Sequence, residues 1–200
     1  MKKVLLSIIL IFVSFSIFAQ EEESEKFFKK ENLFTGGTVN LSFGNLTTAL
    51  GASPFFGYSL NKYVDVAATL GVNYISERDY NIEGDKLRQT VYGPGAFIRL
   101  FPVKFLFVQA QYEFNLIRQK YIPAVGSGYS LDKLKLDAHS VLLGMGIASG
   151  RSFPYQKSYY YFSIMWDVAN APYSPYKDNL KRSVPIIRAG YNIALFQGRR

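Results

Sequence analysis

Val64-Asp65-Val66-Ala67-Ala68-Thr69-Leu70-Gly71-Val72-Asn73-Tyr74 alternates without a slip. Val64, Val66, Ala68, Leu70, Val72 and Tyr74 fall on one parity, and Asp65, Ala67, Thr69, Gly71 and Asn73 on the other. Successive residues of a strand point to opposite faces, so this stretch is a strand with one continuous apolar face and one small or polar face.

The same period runs through about eight segments from Phe34 onward. Val39, Leu41 and Phe43 alternate with Thr38, Asn40 and Ser42. Leu50, Ala52, Pro54, Phe56 and Tyr58 alternate with Gly51, Ser53, Phe55 and Gly57. Past the opening stretch, Tyr92, Pro94, Ala96, Ile98 and Leu100 oppose Gly93, Gly95, Phe97 and Arg99. Leu106, Val108, Ala110, Tyr112 and Phe114 oppose Gln109, Gln111, Glu113 and Asn115. Val141, Leu143, Met145 and Ile147 oppose Ser140, Leu142, Gly144 and Gly146; Tyr160, Phe162, Ile164, Trp166 and Val168 oppose Tyr161, Ser163, Met165 and Asp167. The last segment sets Ile187, Ala189, Tyr191, Ile193 and Leu195 against Arg188, Gly190, Asn192 and Ala194. Segments of roughly ten residues are what a tilted strand needs to cross a hydrocarbon layer.

Two features assign the faces. Mid-strand glycines (Gly51, Gly57, Gly71, Gly93, Gly95, Gly144, Gly146, Gly190) share the polar parity, and small residues suit the narrow interior of an eight-stranded barrel. On the apolar parity, Tyr58 and Tyr160 stand near one set of strand ends and Tyr74, Tyr92, Phe114 and Trp166 near the other, the arrangement of aromatic girdles at two membrane interfaces. The apolar face then meets lipid. A soluble ligand-binding barrel with the opposite sense is the fold-level rival.

The bulk composition agrees. The 200 residues suit one domain, carry a net charge of +8, and have 15 Tyr and 17 Phe, which favour strands. Cys is absent, which excludes disulfides, thiolate metal sites, cysteine nucleophiles and a lipoprotein anchor; a single His makes a histidine metal site untenable. No cofactor is indicated.

Lys2 and Lys3, the apolar run Val4 to Phe18 and the small residue Ala19 make a signal peptide of residues 1–19, too short for a spanning helix. Residues 20–33 read as a periplasmic N-terminal tail and 34–200 as the barrel domain. The expected route is export through the inner membrane of a Gram-negative bacterium to the outer membrane. Helices and closed barrels are the structures that satisfy their backbone in lipid, and no other apolar run is long enough for a helix. The links Ser59 to Asn61, Pro102 to Val103 and Gly150 to Lys157 read as periplasmic turns. Ile75 to Gln89, Arg118 to Leu136 and Asn170 to Arg182 read as long outer loops, with Gly44 to Thr47 a tight outer hairpin and both termini periplasmic.

Thr35-Gly36-Gly37-Thr38-Val39-Asn40-Leu41-Ser42-Phe43-Gly44, Ser53-Pro54-Phe55-Phe56-Gly57-Tyr58 and Pro185-Ile186-Ile187-Arg188-Ala189-Gly190-Tyr191-Asn192-Ile193-Ala194-Leu195 carry a resemblance. Over roughly Phe34 to Phe196 the chain resembles the small outer-membrane β-barrel family, the group that includes the OmpA transmembrane domain and OmpX. The resemblance implies an all-β, eight-stranded antiparallel up-and-down transmembrane β-barrel. It also implies a C-terminal signal for the barrel-insertion machinery, filled by Arg188, Gly190, Ile193, Leu195 and Phe196, with periplasmic chaperones as partners in biogenesis. Gln197-Gly198-Arg199-Arg200 departs from it, since many members stop at a terminal aromatic.

Asp65, Arg99, Glu113, Asp167 and Arg188 lie on the polar parity and form a candidate lumen charge network. Charges in a narrow barrel persist when paired or hydrated. Asp65 and Arg99 sit on neighbouring strands near a periplasmic turn, placed to pair; Asp167 and Arg188 sit toward the outer ends of their strands. Structural bridges are the favoured reading over a gated ion path. His139-Ser140 is no esterase pair, because adjacent strand residues face apart. Gly126-Ser127-Gly128 lacks a strand–helix context for phosphate, and the Asn45-Leu46-Thr47 sequon carries little in an exported bacterial protein. The basic excess (Arg118, Lys120, Lys133, Lys135, Lys177, Lys181, Arg182, Arg199, Arg200) reads as spread over loops and tail, a solvated face that would at most meet lipopolysaccharide phosphates.

The favoured function is therefore a non-enzymatic integral outer-membrane barrel with a structural or surface-interaction role. Its partners would be outer-membrane lipid and lipopolysaccharide, not nucleic acid, and the barrel would be a monomer. A narrow channel or small-solute transporter ranks second and a lipid-modifying enzyme third.

Overall fold

The computed structural model describes residues 28–43, 46–128, 132–152, 158–177 and 182–197. The signal segment 1–19, the start of the polar tail, Gly44 and Asn45, most of the Gly150-to-Lys157 link, Lys181, Arg199 and Arg200 lie outside them. A 3-10 turn at Lys30–Asn32 leads into eight strands: β1 (Leu33–Phe43), β2 (Thr47–Ser59), β3 (Val64–Arg78), β4 (Lys86–Val103), β5 (Leu106–Ile122), β6 (Asp132–Ser149), β7 (Tyr159–Asp167) and β8 (Ile186–Ala194). Each pairs antiparallel with the next, and β8 pairs with β1, so the sheet closes into an up-and-down barrel.

Register fixes the tilt. Following cross-strand partners from Ile147 on β6 leads through Phe162, Ala189, Val39, Ala52, Val72, Tyr92 and Leu116, and returns to β6 at Asp137. Coming back to a different residue of the same strand is the stagger that forces strands to lean against the barrel axis.

The alternation then sorts side chains in the reverse sense of a water-soluble core. Leu70 is 53% and Met145 60% exposed on the outer wall, while Asp65 and Arg99 are each 1% exposed within. The pattern on β3, buried at every odd position from Asp65 to Glu77, is the one its sequence dictates.

The interior is not simply small and polar, as the parity reading implies. Its turn-side half holds an aromatic cluster: Phe34, Phe55, Phe97, Phe101, Phe107, Tyr159 and Tyr161. Room for these rings comes from glycines directly across the ladder. Gly57 faces Phe34, Gly36 faces Phe55, Gly146 faces Phe107 and Gly190 faces Tyr161. A Cβ at any of these four would run into the opposing ring. The rings meet largely edge to face, as Phe55–Phe97 does at 5.5 Å and 80°.

Two of the expected outer loops are mostly strand. β3 and β4 continue through Ile75–Arg78 and Lys86–Gln89 to a short loop around Gly84, and β5 and β6 continue through Arg118–Ile122 and Asp132–Leu136. Arg118, Lys120, Lys133 and Lys135 are therefore strand residues, not loop residues. The reason is a phase change. In the extension the inward residues Ile75, Leu87, Val91, Ile117 and Ala138 are apolar, with Glu77, Gln89 and Gln119 among them, and the outward ones turn largely polar. The strands have become half-buried strands with a mainly apolar inner face and a polar outer one. These four stand taller than the rest, so Asp132–Ser140 of β6 has no strand on its β7 side among the described residues.

Gly57→Val should lower stability by about 1–3 kcal/mol through overpacking against Phe34. Gly37→Val, where a Cβ meets nothing within 4 Å, should be close to neutral. The urea midpoint of the folded, fast-migrating gel band checks both.

Candidate functional site

β3, β4 and β5 are adjacent, so their inward polar residues form one column that starts among the rings of the aromatic cluster and runs beyond it. At the turn end, Asp65 accepts from the Ser59 hydroxyl at 2.6 Å and from Arg151 Nη2 at 3.2 Å. Arg151 comes from the β6–β7 link, also donates to the Lys62 carbonyl at 2.8 Å, and lies 3.7 Å over the Phe101 ring. Asp65 and Arg99 are cross-strand neighbours, yet the carboxylate is taken by Arg151, and the Tyr159 hydroxyl stands between them, 3.3 Å from Arg99 Nη1 and 3.4 Å from Asp65 Oδ2. The Arg99 guanidinium is caged by Phe97, Phe107 and Tyr161, with its carbon 4.3 to 4.9 Å from the ring centres. The cation–π attraction and the Gln109 bond at 2.9 Å stand in for the missing ion pair.

A ladder of amides leads outward from there. Gln109 donates to Gln111 at 2.8 Å, and Gln111 donates to Glu113 at 2.7 Å. Arg188 reaches across from β8, giving one N–H to Gln111 at 3.0 Å and another to Glu113 at 3.1 Å. Both members of that ion pair are 3% exposed. Asp167 is apart from this ladder. It accepts from the amides of Val141 and Ala169 and from the Ser174 hydroxyl, and so anchors the β7–β8 connection.

The sequence predicts an outer loop from Asn170 to Arg182, but its described part folds back into the barrel mouth. Tyr176 is 7% exposed, packs on Leu142, Met165 and Ile186, and donates its hydroxyl to Glu113 Oε2. Lys177 bridges to Ser183, the Val184 amide donates to the Tyr176 carbonyl, and Lys177 Nζ reaches the Asn170 carbonyl. The lumen is thus filled at the turn end by rings and Arg151, and at the outer end by Tyr176. Neither device had a sequence signal. Arg151 sits in an irregular link, and Tyr176 is one tyrosine in a segment without period.

The outer β3–β4 loop is also built around one side chain. Asp85 accepts from the amides of Tyr80, Asn81 and Ile82 and from the Tyr121 hydroxyl on β5. Burial pushes its carboxyl up, but those hydrogen bonds outweigh it and hold the group below its usual 3.8.

The other candidates fall out as follows. Tyr74, Tyr92, Tyr160 and Trp166 are exposed on the outer wall, Phe114 and Tyr58 half-exposed. Tyr160 packs at a tilt on Tyr191 at 4.5 Å, and Tyr58 stacks on Phe28 at 5.3 Å. Of the C-terminal set, Arg188 and Gly190 face the lumen, Ile193 the outer wall, and Leu195 continues the ladder to Leu33 beyond β8. His139 faces outward with Nδ1 2.6 Å from the Tyr112 hydroxyl, whereas Ser140 is buried in the lumen beside Asn115. Gly126 and Gly128 are in a loop with positive φ. Among the described residues no cluster of metal-ligating side chains forms.

No family model matches the chain, and no curated protein matches it. Solved structures do. Ail, the attachment invasion locus protein of Yersinia pestis, in complex with the heparin analogue sucrose octasulfate, is similar with a TM-score of 0.44 at 7% identity, over 80% of this chain and 92% of that one. Neisserial surface protein A is similar with 0.43 at 12% identity, over 82% and 96%. The translocator domain of the autotransporter NalP from Neisseria meningitidis gives 0.39 at 9% identity, over 80% and 87%.

Glu113→Ala should cost about 3–5 kcal/mol by leaving the Arg188 guanidinium buried and unpaired, and Tyr176→Phe about 1.5–3 kcal/mol for a hydrogen bond to a charged group. Urea midpoints of the folded band check both. Because the Asp85 carboxyl is held low in the folded state, its contribution is full above the unfolded value and is lost as pH falls through the folded one. Hydrogen-exchange protection of the Tyr80, Asn81 and Ile82 amides should therefore collapse in acid, and should be missing at neutral pH in Asp85→Asn.

Proposed function

We propose that this chain is an integral outer-membrane β-barrel whose lumen is closed and whose role is structural or exerted at its outer surface. One observation carries the reading: a closed barrel whose outer wall is apolar over the span that all eight strands share, with Asp65, Arg99, Glu113 and Arg188 buried inside it. In water that wall would be an aggregation surface far larger than soluble monomers expose. In a bilayer it is a lipid contact, and closure leaves no unpaired backbone edge in the hydrocarbon. The periplasmic position of both termini, cleavage after Ala19 and recognition of the β8 end by insertion machinery belong to the same proposal.

The filled lumen supports a non-conducting, non-enzymatic reading. Arg99 and Arg188 are locked in hydrogen bonds and ring contacts rather than lining open space. His139 and Ser140 face opposite sides of the wall, so neither can activate the other.

Fractionation with heat-modifiable gel migration tests the placement. Recovery in the outer-membrane fraction as a band that shifts on boiling is expected, and recovery in the soluble periplasm would overturn it. In planar bilayers the purified protein should give no stable current steps; reproducible steps abolished by a lumen substitution would establish the channel instead.

A further inference from the structure

The outward faces of β3, β4, β5 and β6 carry the same vertical order of residues. An aliphatic belt (Leu70, Val72, Ala96, Ile98, Ala110, Val141, Leu143) leads to an outward ring on each strand, Tyr74, Tyr92, Phe114 and His139, with Tyr112 before and Leu116 after Phe114 on β5. Four residues farther out on each strand stands a cation: Arg78, Arg88, Arg118 and Lys135. Four residues span about 13 Å along a strand, or roughly 9 Å along the membrane normal at the usual tilt. That is the step from interfacial rings to the charged headgroup layer. Lys86, Lys120 and Lys133 form a second tier two residues beyond.

These cations are registered against one another. Arg78 lies opposite Lys86, Arg88 opposite Lys120, Lys120 opposite Lys133, and Arg118 opposite Lys135. Like charges directly across a ladder destabilise a sheet. All seven are exposed, and no ion pair between any of them and a described carboxylate relieves the repulsion. Asp137, two residues below Lys135, is the one carboxylate these four strands turn outward among the described residues. Arg118 is steadied by lying 5.6 Å over the Tyr92 ring.

We propose that this face is a binding surface for the phosphorylated headgroup of an outer-leaflet lipid, with phosphates on Arg88, Arg118, Lys120 and Lys135 and acyl chains along the belt beneath. The phosphate charge offsets the repulsion across the ladder, and the Arg forks suit its oxygens. A lipid is favoured over a soluble polyanion because the cations stand on the same outward face as the apolar wall, separated from its rings by one outward residue per strand (Ser76, Thr90, Leu116 and Asp137), turned to the bilayer rather than upward to the medium. The inference rests on the membrane reading above.

The test is native mass spectrometry of the refolded full-length mature protein in zwitterionic detergent, titrated with bis-phosphorylated lipid A, its dephosphorylated form, and soluble tripolyphosphate. Phosphorylated lipid should bind tightest and weaken with added salt. The quadruple variant R88Q/R118Q/K120Q/K135Q should bind it at least about tenfold more weakly, while K62Q/K104Q, at the opposite end, should not change. Without lipid at low salt, the quadruple variant should be no less stable than the parent. If it does not fold, R118Q/K135Q serves in its place. Equal binding of phosphorylated and dephosphorylated lipid, unchanged binding by a folded variant, or tripolyphosphate binding as tightly as the lipid would each overturn the assignment. A protein that inserts into phosphatidylcholine vesicles but makes no phosphate distinction refutes this inference alone, whereas failure to insert refutes the membrane reading.

Discussion

A peptide N–H or C=O left unpaired in hydrocarbon costs several kcal/mol, and on the proposed membrane placement the ladder between β1 and β8 removes that cost. The pairs from Phe34–Ala194 to Asn40–Arg188 close the eight-stranded sheet on itself through the span that all eight strands share. Once the ring is closed at that register, every other choice is made by parity. Each strand residue faces the outer wall or the lumen, and a slip of one would turn Arg99 and Glu113 to the outside and Leu100 and Phe114 to the interior. Closure and alternation thus constrain each other more tightly than either constrains an open sheet.

The narrow interior imposes a second bargain between volume and charge. In its lower half, four glycines concede space to four rings across the ladder, which is why so many glycines and so many aromatics coexist in one chain. In its upper half, the same space is filled by a chain of side-chain amides ending on the Arg188–Glu113 pair. Buried charge is tolerated because each group is met: Arg99 by three rings and an amide, Arg188 by two acceptors, Asp65 by a guanidinium and two hydroxyls.

Strand number, strand parity and the inside–outside sense were all legible in the sequence, since an apolar outer wall around a narrow lumen writes a long unbroken alternation. Strand ends were not, and Arg118 and Lys135 show why. Where β3 to β6 leave the apolar layer the period persists but its phase reverses, so a reader following apolar residues loses the strand and sees a loop. Phe55, Phe97 and Tyr161 stood on the polar parity in plain view, but their meaning depended on which glycine lay across the ladder, a matter of register. Asp65 showed itself as a lumen charge, yet its partner Arg151 came from an irregular link, distant in sequence, that carries no period. The descent of Tyr176 into the mouth was invisible for the same reason.

The unequal height of the wall has a consequence of its own. With β3 to β6 tall and β7, β8 and β1 short, the rim is oblique, and the protein has a front and a back when viewed down the barrel axis. The short side leaves the described, folded-in part of the β7–β8 connection open to whatever approaches from above. The tall side presents a charged palisade to whatever approaches from the flank. A round barrel would meet its neighbours alike from every direction; this one has a bearing, and which neighbours it keeps depends on the quarter from which they arrive.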